Sequence, residues 1–169
     1  MKYVMRSNTL FDEKNKKRAY IHASASYLKS KIRSENGEII NAELRMNSSY
    51  DAHKHEYVMT DNESNVIASA RPHYSKDEDP DQNGWPLNRA PLVDEASLTI
   101  RGGKFKIIRV GYPKYEIRDS EGRLMLGTAY SPLMKNWSIY ASNCLSPEII
   151  CAIVIFCKYL EFENDTVIV

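Results

Sequence analysis

Residues 149–157 read Ile149-Ile-Cys-Ala-Ile-Val-Ile-Phe-Cys157, an unbroken run of apolar side chains. The β-branched residues alone would favour a strand. However, Ser146-Pro147-Glu148 precedes the run as a helix start, with a capping hydroxyl, proline in the first helical position and a carboxylate near the positive end of the dipole. The spacing predicts a helix over 147–161, about 22 Å long at 1.5 Å per residue. A helix lying on a sheet needs one apolar stripe, whereas one that is apolar on every side must be enclosed on every side. A membrane-spanning helix needs about 20 such residues, so this run predicts no membrane span.

The enclosing material has to come from the rest of the chain, which reads as short strands separated by polar turns. Three stretches share a strand–turn–strand pattern. Lys31-Ile-Arg-Ser-Glu-Asn-Gly37 leads into 38–45, Tyr57-Val-Met-Thr-Asp61-Asn-Glu-Ser-Asn65 into 66–71, and Tyr115-Glu-Ile-Arg-Asp119-Ser-Glu-Gly122 into 123–130. Asn and Gly tolerate the left-handed backbone that such turns demand. Further strand candidates are 18–29, 97–110 and 137–142. Recurrent hairpins predict an all-β meander rather than βαβ units. With one strong helix and many strands, only a sheet closed around its own C-terminal helix satisfies both the helix and the sheet edges. The predicted fold is therefore mainly β: a closed antiparallel barrel of about 10–12 strands enclosing a hydrophobic C-terminal α-helix. The 169 residues suffice for one domain spanning 1–169, burying roughly 70% of the surface an unfolded chain of this size exposes. Residues 71–96, with four prolines and an acidic cluster, are expected to form a long loop insertion between hairpins.

The order of these elements resembles the tubby-like barrel superfamily, which includes the LURP-one-related proteins and the phospholipid scramblases. Tyr115-Glu-Ile-Arg-Asp119-Ser-Glu-Gly122 resembles that family's strand–turn unit, Leu126-Gly-Thr-Ala-Tyr130 its next strand, Trp137-Ser-Ile-Tyr140 the strand before the helix, and 146–159 the core helix. The likeness covers about 100–164 and points to the small bacterial-type members. It implies a non-enzymatic module that associates with lipid or phosphoinositide head groups. The family's binding residues do not map here one by one, because the front strands align poorly.

Charge refines the functional reading. Lys and Arg total 23 against 22 Asp and Glu, a net +1, which argues against a nucleic-acid partner. Between 14 and 33 there are seven cations and no acid. Strand alternation places Lys29, Lys31 and Arg33 on one outer face, with Leu28 and Ile32 pointing inward. Arg101, Lys104, Lys106 and Arg109 form a second group. Clustered cations attract phosphate and anionic head groups, by about 1 kcal/mol each near a charged membrane, although a solvated outer face is the commoner account of charge runs of this kind. Adjacency of the two groups in the fold would favour binding.

Other constellations are weaker. Asp79-Pro-Asp81-Gln-Asn83-Gly84 matches the first half of a calcium loop, but position twelve is Ala90, so no EF-hand is expected. His53 and His55 would share a strand face, with no third metal ligand evident. Cys144, Cys151 and Cys157 match no zinc or disulfide spacing and read as small buried hydrophobes of a reducing compartment, with Cys144 possible at the helix entrance. Arg101-Gly-Gly-Lys104 reads as a hairpin turn. Trp85, beside Pro and Gly, is a candidate partner anchor or a lid on the barrel. No cofactor, metal or catalytic signature is expected. The N-terminus shows no secretory h-region, so a cytoplasmic protein, peripheral at a membrane if lipid is bound, is expected. Three functions follow in order: an anion- or lipid-binding module, a protein–protein adaptor using the Trp85 loop, and an enzyme with an unfamiliar site in the barrel mouth.

Overall fold

A computed structural model describes residues 1–24, 28–46, 51–85 and 91–165. Among them, twelve antiparallel strands close into a barrel: β1 (Lys2–Arg6), β2 (Thr9–Asp12), β3 (Lys17–Ala23), β4 (Lys29–Ser34), β5 (Ile39–Arg45), β6 (Glu56–Thr60), β7 (Val66–Tyr74), β8 (Val93–Ile100), β9 (Gly103–Gly111), β10 (Lys114–Asp119), β11 (Leu124–Ser131) and β12 (Asn136–Ala141). Each strand pairs with its sequence neighbours, and β1 pairs with β12 to close the ring. No edge is left to template aggregation. The short helix α1 (Pro80–Asn83) lies between β7 and β8, and α2 (Pro147–Asp165) follows β12.

The helix is where its composition requires it to be. No residue from 149 to 157 is more than 4% exposed, so this segment is enclosed on all sides. It packs against β3–β6 and β8. The inward positions on that side of the ring include Ala19, Ala42 and Ala96, whose small side chains let the helix backbone approach. The opposite interior wall carries Tyr3, Met5, Tyr115, Ile117, Leu126, Trp137 and Ile139 instead, large side chains that fill the space the off-centre helix leaves.

Short connections form the barrel end where the helix enters, and four of them repeat one device. In Asp119-Ser-Glu-Gly122-Arg123, Asp119 Oδ1 accepts the backbone N–H groups of Glu121 and Arg123, both at 2.9 Å, while Gly122 N–H donates to the Asp119 carbonyl at 3.0 Å. Asp61 does the same for Glu63 and Asn65, and Ser34 Oγ accepts from Glu38 N–H at 3.1 Å. A fourth copy, absent from the sequence reading, is Asp12-Glu-Lys-Asn15-Lys16. The left-handed position is Gly122 (φ +80°) or Gly37 (φ +83°) in two copies, and Ser64 (φ 67°) or Asn15 (φ 59°) in the others. Glycine adopts that conformation without steric penalty. A lone asparagine can support it locally through its side chain.

Two boundaries are corrected. The helix runs to Asp165 rather than 161, because the barrel mouth binds its polar last turn. Asn164 grips the Val93 backbone twice: its Oδ1 accepts from Val93 N–H and its Nδ2 donates to the Val93 carbonyl, each at 2.9 Å. The 71–96 insertion is shorter than expected. Residues 71–74 and 93–96 are paired strand, with Pro72 opposite Ala96, and Asp79 accepts from Asp81 N–H at 3.0 Å to cap α1.

Candidate functional site

The two predicted cationic groups do not meet. Lys29, Lys31 and Arg33 do lie exposed on the outer face of β4, but β4 and β9 are five strands apart round the ring of twelve. The β4 strip borders a hollow of about 620 Å³ that also contains Glu43. Glu43 lies 3.7 Å from Lys29 and 2.5 Å from Arg45, so much of the local charge is already compensated. Lys31 and Arg33 form no ion pair among the described residues.

The second group divides. Arg101 occupies a left-handed turn position (φ 46°) in the β8–β9 hairpin, as the Arg101-Gly-Gly-Lys104 reading anticipated. Lys104 and Lys106 project outward from β9 into a hollow of about 590 Å³ shared with Arg118, with Asp119 and with the hydroxyl residues Ser97, Thr99 and Ser120. Lys106 is 3.3 Å from Glu95, Arg118 is 2.6 Å from Glu116, and Lys104 has no ion-pair partner among the described residues. Arg109 is a correction: it points into the barrel, where its Nε is 3.3 Å from Glu161 Oε1 of α2. Strand parity carried that signal, because Arg109 alternates with Lys104 and Lys106 and so faces the other way.

The mouth where α2 ends holds polar chemistry that the sequence reading missed. His55 and Glu163 are both buried, with His55 Nδ1 2.9 Å from each carboxylate oxygen, and the Tyr57 hydroxyl donates to Glu163 at 3.2 Å. Burial pushes the Tyr57 hydroxyl pKa well up, and the Glu163 charge adds to the shift. Glu161 accepts from the Tyr115 hydroxyl as well as pairing with Arg109. Desolvation raises its carboxyl pKa, which Arg109 opposes. Tyr159 donates to the Leu28 carbonyl at 3.1 Å. Beside these contacts, a pocket of about 320 Å³ opens between the helix end and the rim of β1, β2 and β9–β12.

The remaining expectations resolve as follows. His53 and His55 do not share a strand face: His53 sits in a 3-10 turn at Ala52–Lys54 that precedes β6, and His55 turns inward. His53 Nδ1 lies 3.6 Å from Asp81 Oδ2, and Asp79 brings a third donor within 4.8 Å. Asp79 is engaged as the α1 cap and the Asp81 side chain is 83% exposed, so the capping bond and a solvated ion pair account for the group. Cys151 and Cys157 are buried, and burial raises both thiol pKa values. Cys144 is exposed, which corrects its reading as a buried hydrophobe. Trp85 is 47% exposed and packs edge-on against Tyr74 at 6.2 Å. Residues 86–90 of its loop lie outside those described. No helix among the described residues is long and apolar enough to cross a membrane.

No protein-family model, curated protein or solved structure matches this chain.

Proposed function

We propose that this protein is a non-enzymatic binding module that captures a phosphate-bearing ligand on the outer face of β8–β10. One observation carries the reading: Lys104, Lys106 and Arg118 line a single hollow together with the hydroxyl residues Ser97, Thr99 and Ser120. Cations supply attraction and hydroxyls supply directional donors, the combination that phosphate oxygens require. The β4 strip is the weaker candidate, because Glu43 pairs with two cations of its own hollow, Lys29 and Arg45, whereas Asp119, the acid lining the β8–β10 hollow, pairs with Arg123 outside it. The closed barrel around a C-terminal helix is also the arrangement expected of tubby-like proteins, which supports an anionic lipid head group as the source of the phosphate and a peripheral membrane location.

The test is co-sedimentation with phosphatidylcholine vesicles containing phosphatidylserine or a phosphoinositide, beside calorimetric titration with a soluble inositol phosphate. Salt-sensitive binding that disappears in K104E/K106E is expected. Binding of the soluble compound alone would identify a free phosphate ligand instead of a membrane. Absence of both, or binding indifferent to the charge reversals, would reject the proposal.

The exposed face of Trp85 favours a second reading, a protein–protein adaptor. It predicts that W85A abolishes recovery of a protein partner while the barrel melts as before. Retained recovery would remove it.

A further inference from the structure

We propose that the barrel mouth is a second, separate binding site for a small organic anion with an aromatic or apolar body. The argument begins with the helix. Between 149 and 160 every residue is buried except Lys158. A cation interrupts the apolar run at the position where the helix meets the 320 Å³ pocket, which Lys158 lines together with Lys135, Glu161, Tyr112, Tyr130 and Trp137.

The charges in this pocket do not cancel. Glu161 is engaged by Arg109 at 3.3 Å and by the Tyr115 hydroxyl, so its negative charge is already answered. Neither Lys158 nor Lys135 forms an ion pair among the described residues. Desolvation by the surrounding rim lowers the Lys158 pKa, as expected for an ammonium group without a compensating anion. A carboxylate or phosphate between the two lysines would supply that anion. A cationic ligand would find the one carboxylate of the pocket occupied.

The remaining walls set the body of the ligand. Trp137 and Tyr130 rings lie 5.2 Å apart at 47°. Tyr112 stands 72% exposed at the lip, with the Arg109 guanidinium 5.8 Å from its ring centre. Adjacent aromatic faces accept flat apolar groups by offset or edge packing. The volume is at the lower end of small-molecule sites, which limits the ligand to about the size of a substituted benzene ring. The pocket lies inside the rim at the helix exit, whereas the β8–β10 hollow lies on the outer wall.

The chain has two tryptophans, Trp85 and Trp137, so a W85F variant leaves Trp137 as the sole reporter. Its fluorescence is titrated with phenyl phosphate and benzoate, and in parallel with benzylamine and benzyl alcohol. The two anions are expected to give a saturable change with dissociation constants below about 1 mM. The amine and the alcohol are expected to give none in that range. K158Q is expected to weaken anion binding by about tenfold or more, equivalent to about 1.4 kcal/mol, with no loss of melting temperature, because the partly desolvated ammonium has no ion pair to lose among the described residues. K135Q provides a second variant in a loop away from the core and is expected to weaken the anions as well. The proposal is overturned if neither anion saturates, if both lysine variants bind like the parent, or if benzylamine binds as tightly as benzoate.

Discussion

The two ends of the barrel are built on opposite plans. At the end where α2 enters, four turns repeat one local hydrogen-bond pattern around Asp12, Ser34, Asp61 and Asp119. At the end where α2 leaves, the connections are unlike one another, from the two residues between β1 and β2 to the stretch between β7 and β8, and the contacts that matter join residues more than 40 positions apart, such as Tyr115 with Glu161 and His55 with Glu163. One end is held by local chemistry that any hairpin could use. The other is held by long-range polar pairs that exist only when the helix is seated. Shape is secured at the first end, while unpaired charge and aromatic surface collect at the second.

The sharpest way to break this contrast is along the helix itself. F156A removes a fully buried ring and is expected to cost about 3–5 kcal/mol. F162A removes one that is 39% exposed and should cost under about 1 kcal/mol. Urea unfolding of the two variants compares them, and equal losses would mean that the helix is not enclosed as described.

The polar latch comes next. E163Q leaves His55 and Tyr57 with a neutral partner in a buried site and should cost about 1–3 kcal/mol. E148Q, at the opposite end of the same helix, should stay within about 0.5 kcal/mol. Equal effects in thermal melts would remove the latch from the account.

The outer walls are compared by charge reversal. K104E/K106E should weaken vesicle binding by more than about tenfold, since each cation contributes about 1 kcal/mol near an anionic surface. K31E/R33E should weaken it by less than about threefold, because Glu43 already pairs with Lys29 and Arg45 beside that strip, which lies on another part of the ring. A reversed order of sensitivity would move the site to β4.

The smallest effect belongs to the repeated turns. G122A forces alanine to φ +80° and should cost about 1–2 kcal/mol. S64G relieves the same conformation (φ 67°) and should stabilise the protein by about 1 kcal/mol or less. Chemical denaturation midpoints read both, and opposite signs are the expected result.

These ends also differ in how far they could be read in advance. Three of the repeated turns are visible in sequence because Asn, Asp and Gly mark them. The fourth escaped because Asn15 takes the left-handed position in a lysine-rich stretch, and β1 and β2 escaped with it. Residues 149–157 disclosed their enclosure because no partly wetted helix can be apolar all round. The helix end at Asp165 was not legible: Glu163 and Asn164 look like solvent-facing residues until His55, Tyr57 and Val93 are placed beside them. Arg109 and His55 stood within reach of strand alternation, since His55 shares parity with the inward Tyr57 and Met59. The mouth pocket was beyond it, because three connections and one helix end must be brought together before Lys158 has these neighbours.

Native-state hydrogen exchange tests the enclosure most directly. Amides of residues 149–157 are expected to exchange only through global unfolding, as slowly as the most protected strand amides and with the same denaturant dependence. Exchange of that segment at loop-like rates, independent of the unfolding of the strands, would contradict a helix sealed inside the barrel.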